Sequence, residues 1–340
     1  MNNKRHSGAL DSRAWLLAAL TLMLAAVLML SLTLGARPVP LHLVWTSFTA
    51  FDPGVIEHSV IRDLRLPRTL LGLGVGAALG LAGAVLQGAT RNPLADPSIL
   101  GIHAGASLFV VLGITLFGIT ELRLYVWLAF AGAACATIGV YAIAALGRDG
   151  PTPIKLALAG AAVTAALTAV ISAVLLTQPT TLDQFRFWQV GALAGRDLAV
   201  FIQVAPFLLV GIVLALALGR TLDGLAMDEA VARGLGQRTG IGRAIAGLAA
   251  IILAGAATAA VGPIGFVGLT VPHLARSLTG PSYRWILPFA MLLGPILLLG
   301  ADIVGRLLVP PGEVQVGIVT ALIGAPFFIA LIRRRRLAEL

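Results

Sequence analysis

Ten apolar segments that are nearly free of charged side chains follow one another along this sequence of 340 residues. A helix needs roughly 20 consecutive apolar residues to cross the hydrocarbon core of a bilayer, and only the eighth segment is clearly shorter. The pattern predicts an all-α polytopic membrane protein of about ten transmembrane helices. The predicted spans are residues 15–34, 70–90, 98–117, 122–146, 156–177, 199–218, 241–261, 265–278, 285–303 and 316–332.

The composition indicates that lipid, rather than water, surrounds most of the protein surface. Apolar residues make up 58% of the chain and charged residues only 11%, whereas soluble domains carry roughly a quarter charged residues. The net charge of +9 does not indicate a nucleic-acid partner, because the basic residues are scattered between apolar runs. The densest basic cluster, residues 333–336, follows the last apolar run, which is typical of an anchor at anionic lipid headgroups.

The distribution of lysine and arginine predicts how the spans are oriented. With the N-terminus in the cytoplasm, about two thirds of the 24 basic residues fall on the cytoplasmic side, which predicts cytoplasmic termini and an even number of spans. The first apolar run lacks a clear cleavage site before Arg37 and is predicted to be a retained helix. The longer connections are then an outer loop at 35–64, an outer amphipathic segment at 178–196 and a cytoplasmic segment at 220–240.

No sequence feature provides an energy source for transport within this chain. The Gly-x-x-x-x-Gly-Lys-[Ser/Thr] motif is absent, and neither of the two lysines, Lys4 and Lys155, follows a glycine. Ion-coupled carriers usually hold acids inside their spans, and the clearest one here, Asp302, stands four residues before Arg306 as an i, i+4 partner. An ion-coupled secondary carrier is therefore the more distant alternative.

The residues give no support to an enzyme. The His-Glu-x-x-His motif is absent, the five histidines are dispersed, and Cys135 stands alone without metal-ligand spacing. His103 and Ser107 share a helix turn, but no partner motif accompanies them, which favours a packing role. No catalytic residue and no metal ligand is predicted.

Two strips of small residues recur at every fourth position of a predicted span. Such strips place small side chains on one helix face, where the backbone of a neighbouring helix can approach closely. Both are interpreted as packing surfaces without chemistry. The first strip is Gly72, Gly76, Gly80, Ala84 and Gly88, and the second is Gly160, Thr164, Thr168 and Ser172.

A series of sequence blocks resembles the FecCD-type permeases, the membrane subunits of ABC importers for ferric siderophores, haem and cobalamin. The longest block, residues 65–105, reads RLPRTLLGLGVGAALGLAGAVLQGATRNPLADPSILGIHAG. The resemblance covers essentially the whole chain in the same order. The further blocks are LALAG (156–160), FRFWQVGALAG (185–195), VGPIGFVGLTVPHLAR (261–276), ADIVGR (301–306) and GIVTALIGAPFF (317–328).

The resemblance implies a type II ABC importer permease in the bacterial inner membrane, with residues 1–340 forming one transmembrane domain. It implies three kinds of partner: a second copy of the permease or a close paralogue, two cytoplasmic ABC ATPases, and a periplasmic or lipid-anchored substrate-binding protein. ATP and magnesium are expected to be used by the ATPase, with no cofactor bound by this chain. The implied cargo is a ferric siderophore, with haem or cobalamin as the alternative.

The family's binding-protein docking positions correspond to Arg65, Arg68 and Arg306. Arginine suits this role because its planar guanidinium engages a carboxylate through two hydrogen bonds. Snorkelling of these side chains to the membrane surface is the alternative explanation.

Three further groups of residues take roles from the resemblance. A cytoplasmic gate is expected at Asn92, Pro93 and Leu94, where the prolines mark a turn back into the membrane, and the other half of that gate is left unassigned. Contacts that couple the permease to the ATPase are expected at Asp228, Glu229, Arg233, Gly234 and Gly236. Pore-mouth positions in the outer amphipathic segment are expected at Arg186, Trp188 and Gln189.

Overall fold

The computed structural model describes residues 3–35, 37–146, 152–226 and 239–338, and these residues fold almost entirely into helices. We number the helices in chain order. They are α1 Asn3–Thr33, α2 Leu41–Thr49, α3 Ile56–Ser59, α4 Leu66–Thr90, α5 Ile102–Phe117, α6 Leu122–Ala144, α7 Pro153–Thr177, α8 Pro179–Gln189, α9 Leu198–Ala217, α10 Gly219–Ala226, α11 Thr239–Val261, α12 Val267–Thr279, α13 Tyr283–Leu308 and α14 Val316–Ala338.

A helix occupies each of the ten predicted spans. Seven of them are long and apolar enough to cross a membrane: α1, α4, α6, α7, α9, α11 and α13. The helices α5 and α14 are apolar over shorter stretches, Ile102–Phe117 and Val316–Ala330. The eighth predicted span is the 13-residue helix α12, which is short for a full span, as its sequence indicated.

The region 35–64 was predicted to be a loop, and this prediction was wrong. The helices α2 and α3 lie within it, and a π-helical turn, Val60–Arg65, continues α3 directly into α4. The apolar pattern is interrupted at Arg62 and Asp63, yet the helical backbone continues through both residues.

Helix α4 lies at the centre of the bundle and packs on α13, α11, α12 and α9. Within its most apolar stretch, 83% of the residues are buried, compared with 17% in α1 and in α7. The peripheral helices therefore present most of their apolar surface outward, as expected of helices surrounded by lipid or by another protein chain.

The first strip of small residues packs against α13, which confirms the packing interpretation. A Cβ atom built on Gly76 would lie 2.5 Å from Cα of Pro295, closer than any real side chain allows. Glycine is required here because the two backbones touch. The same face of α4 meets α13 at successive turns: Gly72 at Leu299, Gly80 at Ala290 and Gly88 at Tyr283.

The second strip is packed only at its first residue within this chain. A Cβ atom on Gly160 would lie 1.8 Å from the carbonyl oxygen of Ile99, so this end of α7 is in tight contact. Thr168 and Ser172 are exposed, together with the neighbouring alanines of α7. Within the protomer, the packing interpretation is therefore confirmed only at Gly160, and for the exposed part of the strip it stays a prediction.

Candidate functional site

The ends of several helices meet at one end of the bundle, where Arg65, Arg68 and Arg306 lie. The C-terminal end of α1, the N-terminal end of α4 and the C-terminal end of α13 are joined there by hydrogen bonds. We call this the outer end, following the orientation predicted from the basic residues.

A buried acid links two of the arginines at the outer end. Asp302 is 1% exposed, and its carboxylate lies 2.7 Å from Nη2 of Arg68 and 2.9 Å from Nη2 of Arg306. Arg68 also places Nη1 at 2.8 Å from the Glu313 carboxylate. The acid therefore has two cationic partners, which compensate its charge in this buried position. The sequence predicted the Asp302–Arg306 pair from its i, i+4 spacing.

Arg65 and Arg306 bind the C-terminal end of α1. Arg65 donates from Nη1 to the carbonyl oxygen of Leu32 at 2.7 Å and from Nη2 to that of Arg37. Arg306 donates from Nη1 to the carbonyl oxygens of Ser31 at 2.9 Å and Leu34 at 3.0 Å. The last carbonyls of a helix lack partners within the helix and attract cations, so these two arginines cap the C-terminal end of α1.

All three predicted docking arginines are thus engaged within the chain and are largely buried. They line a cavity of about 500 Å³, which we call the outer cavity. A docking role remains a prediction, and any partner carboxylate would have to share guanidinium groups that already have acceptors. The arginines that line the outer cavity are Arg37, Arg65, Arg68, Arg196 and Arg306.

The predicted gate lies in the turn that follows α4. The helix ends at Thr90, and Arg91 takes a left-handed conformation with φ of 52°. The Asn92 side chain accepts a hydrogen bond from the Leu94 backbone N–H at 2.9 Å, which fixes the turn, and Leu94 is 40% exposed. The exposed leucine next to a locked turn is compatible with a gate, which stays a prediction.

The predicted pore-mouth residues lie on α8 and face different ways. Trp188 is 2% exposed and packs on Phe185, with ring centroids 5.8 Å apart, so it anchors α8 within the protomer. Arg186 and Gln189 are exposed. Arg186 pairs with Asp183 at 3.2 Å. Of the three predicted pore-mouth residues, only Arg186 and Gln189 are accessible at the surface.

The five predicted coupling residues, Asp228, Glu229, Arg233, Gly234 and Gly236, lie outside the described residues. The adjoining helix α10 is described, and it is held by a contact that the sequence did not reveal. Asp223 accepts hydrogen bonds from the Tyr283 backbone N–H at 2.5 Å and from Ser282 Oγ at 3.1 Å. These bonds connect α10 to the N-terminal end of α13 across 59 and 60 positions, a separation that no local pattern encodes.

The residues considered for an enzyme do not meet in the way a nucleophile and base would. His103 Nδ1 lies 3.1 Å from Thr258 Oγ1 on α11, and no hydrogen bond joins His103 to Ser107 within the described part of the chain. This geometry supports the packing role.

The chain resembles a known transport family over most of its length. The model of the FecCD transport family matches residues 23–334. The ferric enterobactin transport system permease protein FepD of Escherichia coli is 44% identical over 325 residues, which cover 95% of this chain and 96% of that protein. The Fe(3+)-citrate import system permease protein YfmD of Bacillus subtilis is 43% identical over 307 residues, covering 90% and 91%.

A more distant relative is named for another cargo. The cobalamin import system permease protein BtuC of Halobacterium salinarum is 35% identical and covers 96% of this chain and 98% of that protein. Among solved structures, one assigned to the metal-chelate type of ABC transporter in an inward-facing conformation matches with a TM-score of 0.82. It is 30% identical and covers 94% of this chain and 99% of that one.

Proposed function

This chain belongs to the FecCD transport family, and we propose that it is the pore-forming permease of an ATP-driven importer that carries iron(III)–siderophore complexes across the bacterial inner membrane. The predicted family, the type II ABC importer permease fold and the multi-pass membrane character are confirmed by the family match, the structural likeness and the seven apolar helices.

The choice of cargo rests on one observation. The relatives named for ferric enterobactin and ferric citrate are 44% and 43% identical to this chain, whereas the relative named for cobalamin is 35% identical. An iron chelate is therefore the favoured cargo. Cobalamin, or haem within the same class, is the second candidate.

The absence of a P-loop motif from the full sequence supports a separate ATPase. In this proposal two cytoplasmic ABC ATPases bind ATP and magnesium and contact the 220–240 segment. The bond between Asp223 and the N-terminal end of α13 would carry their motion into the spans. A soluble or lipid-anchored binding protein delivers the cargo at the outer end, where Arg65, Arg68 and Arg306 are the proposed docking residues.

The exposed face of α7 supports the proposal of a second permease copy. The exposed surface of this helix carries small residues at 161, 165, 168, 169 and 172, with larger aliphatic side chains such as Leu158 and Leu176 toward its two ends. A transport pathway between two copies would be lined by such neutral surfaces, which let a bulky chelate pass without binding it firmly.

The test is uptake in inner-membrane vesicles that contain the permease, its ATPase and its binding protein. We expect ATP-dependent accumulation of radiolabelled ferric siderophore, and no accumulation when the ATPase carries a substitution in its P-loop lysine. Labelled haem and cobalamin are measured in parallel, and preferential uptake of either would replace the siderophore. Accumulation by the permease alone under an ion gradient would contradict the proposal and favour a secondary carrier.

A further inference from the structure

The outer cavity holds one arginine that the docking prediction did not include. Arg196 lies in the connection between α8 and α9, two residues before α9 begins, and lines the cavity with four other arginines. Only three acids line the same cavity, namely Asp63, Asp197 and Glu313. The cavity therefore has a cationic excess at its wall.

The other four arginines of the cavity each have an acceptor within the chain. Arg65 and Arg306 bind the carbonyls of α1, and Arg68 binds two carboxylates, as described above. The exposed Arg37 lies 3.8 Å from the Glu57 carboxylate.

Arg196 has no such partner. Its side chain is 7% exposed, its Nε is buried without an acceptor, and no hydrogen bond or ion pair to it is formed within the described residues. Burial lowers the pKa of the Arg196 guanidinium to about 10, which still leaves the group protonated at neutral pH. A buried cation is thus present without a counter-charge.

Neighbouring groups do not supply that counter-charge. In the part of the chain that the structure describes, Asp197 forms no ion pair with Arg196. Its carboxylate instead pairs with Arg123 at 2.6 Å and caps α9 by accepting a hydrogen bond from the Val200 N–H at 3.0 Å. The hydrogen bond to Arg123 lowers the pKa of the Asp197 carboxyl and keeps it charged in that pair. The nearby Tyr125 hydroxyl donates to the carbonyl oxygen of Ile119 at 3.3 Å.

We propose that the outer cavity is a binding site for an oxyanion of the carboxylate or phosphate class, with Arg196 as its principal ligand. An unpaired buried charge is costly, and an anion that enters the cavity removes that cost. The guanidinium offers several N–H donors in one plane, and carboxylate and phosphate oxygens match that geometry. The cavity volume of about 500 Å³ is within the usual range for small-ligand sites.

Binding of simple anions tests the site directly. The purified permease is placed in nanodiscs of zwitterionic lipid at constant ionic strength and titrated with sulfate, phosphate or acetate by calorimetry. We expect saturable binding of one anion per permease chain. This measurement does not involve uptake, so its failure would leave the proposed transport function intact.

Two substitutions with opposite expected effects on anion affinity test whether the anion binds in the outer cavity. Arg196→Gln should weaken anion binding by roughly tenfold or more, the loss expected for one charge-assisted hydrogen-bonded pair. Asp63→Asn removes an exposed acid at the cavity wall and should tighten binding by roughly twofold. The matched control is Arg284→Gln, which removes an exposed arginine outside the cavity and should leave the affinity unchanged.

The outcomes are distinguishable. Phosphate or sulfate binding without acetate binding supports a site for tetrahedral ions, and acetate binding supports a site for a carboxylate group. The absence of saturable binding to the wild type overturns the proposal, and so does wild-type affinity in Arg196→Gln. Because Asp63 is exposed, its variant remains informative even where Arg196→Gln does not fold, and an unchanged or weaker affinity in Asp63→Asn contradicts the placement in this cavity.

Discussion

At the scale of single residues, the most consequential group is the carboxylate of Asp302. It is almost fully buried, and it holds together Arg68 from α4 and Arg306 from its own helix. Its removal leaves two buried guanidinium groups facing each other, and the cost of an uncompensated buried charge exceeds the gain from any surface pair.

We expect Asp302→Asn to lower the free energy of unfolding by about 3–5 kcal/mol. Thermal unfolding in detergent, followed by intrinsic fluorescence, measures the change. The control is Glu313→Gln, which removes an acid that also binds Arg68 but is one third exposed, and which should cost roughly 0–1 kcal/mol. Equal destabilisation by the two variants would contradict the central role of Asp302.

A second residue-scale prediction concerns Ser31, which is fully buried at the end of α1. Its Oγ accepts from Arg306 Nη2 at 3.0 Å and lies 2.8 Å from Thr69 Oγ1. Ser31→Ala should cost about 1–3 kcal/mol, because both partners lose an acceptor or donor in a dry site. Thr33→Ala is the control, since Thr33 bonds only to carbonyls of its own helix and its loss should cost less than about 0.5 kcal/mol.

The sequence predicted part of this network for a clear physical reason. The Asp302–Arg306 pair follows from helix periodicity, which fixes neighbours three and four positions apart. The participation of Arg68 could not be predicted, because it is 234 positions away and depends on how α4 packs against α13. The same limit applies to Asp223 and to Arg196, whose positions are determined by long-range packing rather than by a local pattern.

At the scale of helices, close packing of α4 on α13 determines the shape of the core. The small-residue spacing of α4 was readable from the sequence because it repeats once per turn. The exposure of the second strip on α7 was not readable, because the same spacing serves contacts within a chain and surfaces that another chain or the cargo meets.

Gly76→Ala should destabilise the protein by about 1–3 kcal/mol, since the added methyl group must push α13 away at Pro295. Gly139→Ala is a matched control, because Gly139 is a partly buried position of α6 where an added Cβ meets nothing within 4 Å. This control should stabilise the helix or change the free energy of unfolding by less than about 1 kcal/mol. Comparable losses in both variants would argue against the tight contact.

The connection of α10 to α13 gives a prediction about coupling, which depends on the proposed function. Asp223→Ala removes both bonds to residues 282 and 283, and ATP-dependent uptake should fall roughly tenfold, as expected for a loss of about 1.4 kcal/mol. ATP hydrolysis by the assembled complex should continue. Asp183→Asn, at an exposed acid of α8, serves as the control, and a parallel loss of hydrolysis and uptake in Asp223→Ala would indicate a failure of assembly instead.

At the scale of the whole molecule, the apolar face of α7 predicts contact between two copies of the permease. In a variant in which Cys135 is replaced by serine, a cysteine at Thr168 or Ser172 should be joined to a second copy by a short bismaleimide, giving a dimer on denaturing gels. A cysteine at the exposed Val213 of α9 is the control and should remain monomeric. Equal dimer yields at all three positions would indicate random collision.

The overall architecture was predictable because lipid imposes a simple rule on every span. Each spanning segment has to satisfy its own backbone hydrogen bonds, so apolar length alone locates the helices. The identity of the cargo was harder to predict, since the exposed side chains of α7 are small or aliphatic and include no group specific to one chelate.

The attachment of α1 through Arg65 and Arg306 has a consequence for synthesis. Only 17% of the most apolar stretch of α1 is buried, and one of the two arginines that bind its C-terminal end lies more than 270 positions later in the chain. During translation α1 therefore precedes Arg306 by most of the chain, and its hydrogen bonds to Arg306 can form only after about nine tenths of the polypeptide has been synthesised. Chains that stop before Arg306 would lack these hydrogen bonds and would hold the C-terminal end of α1 through Arg65 alone.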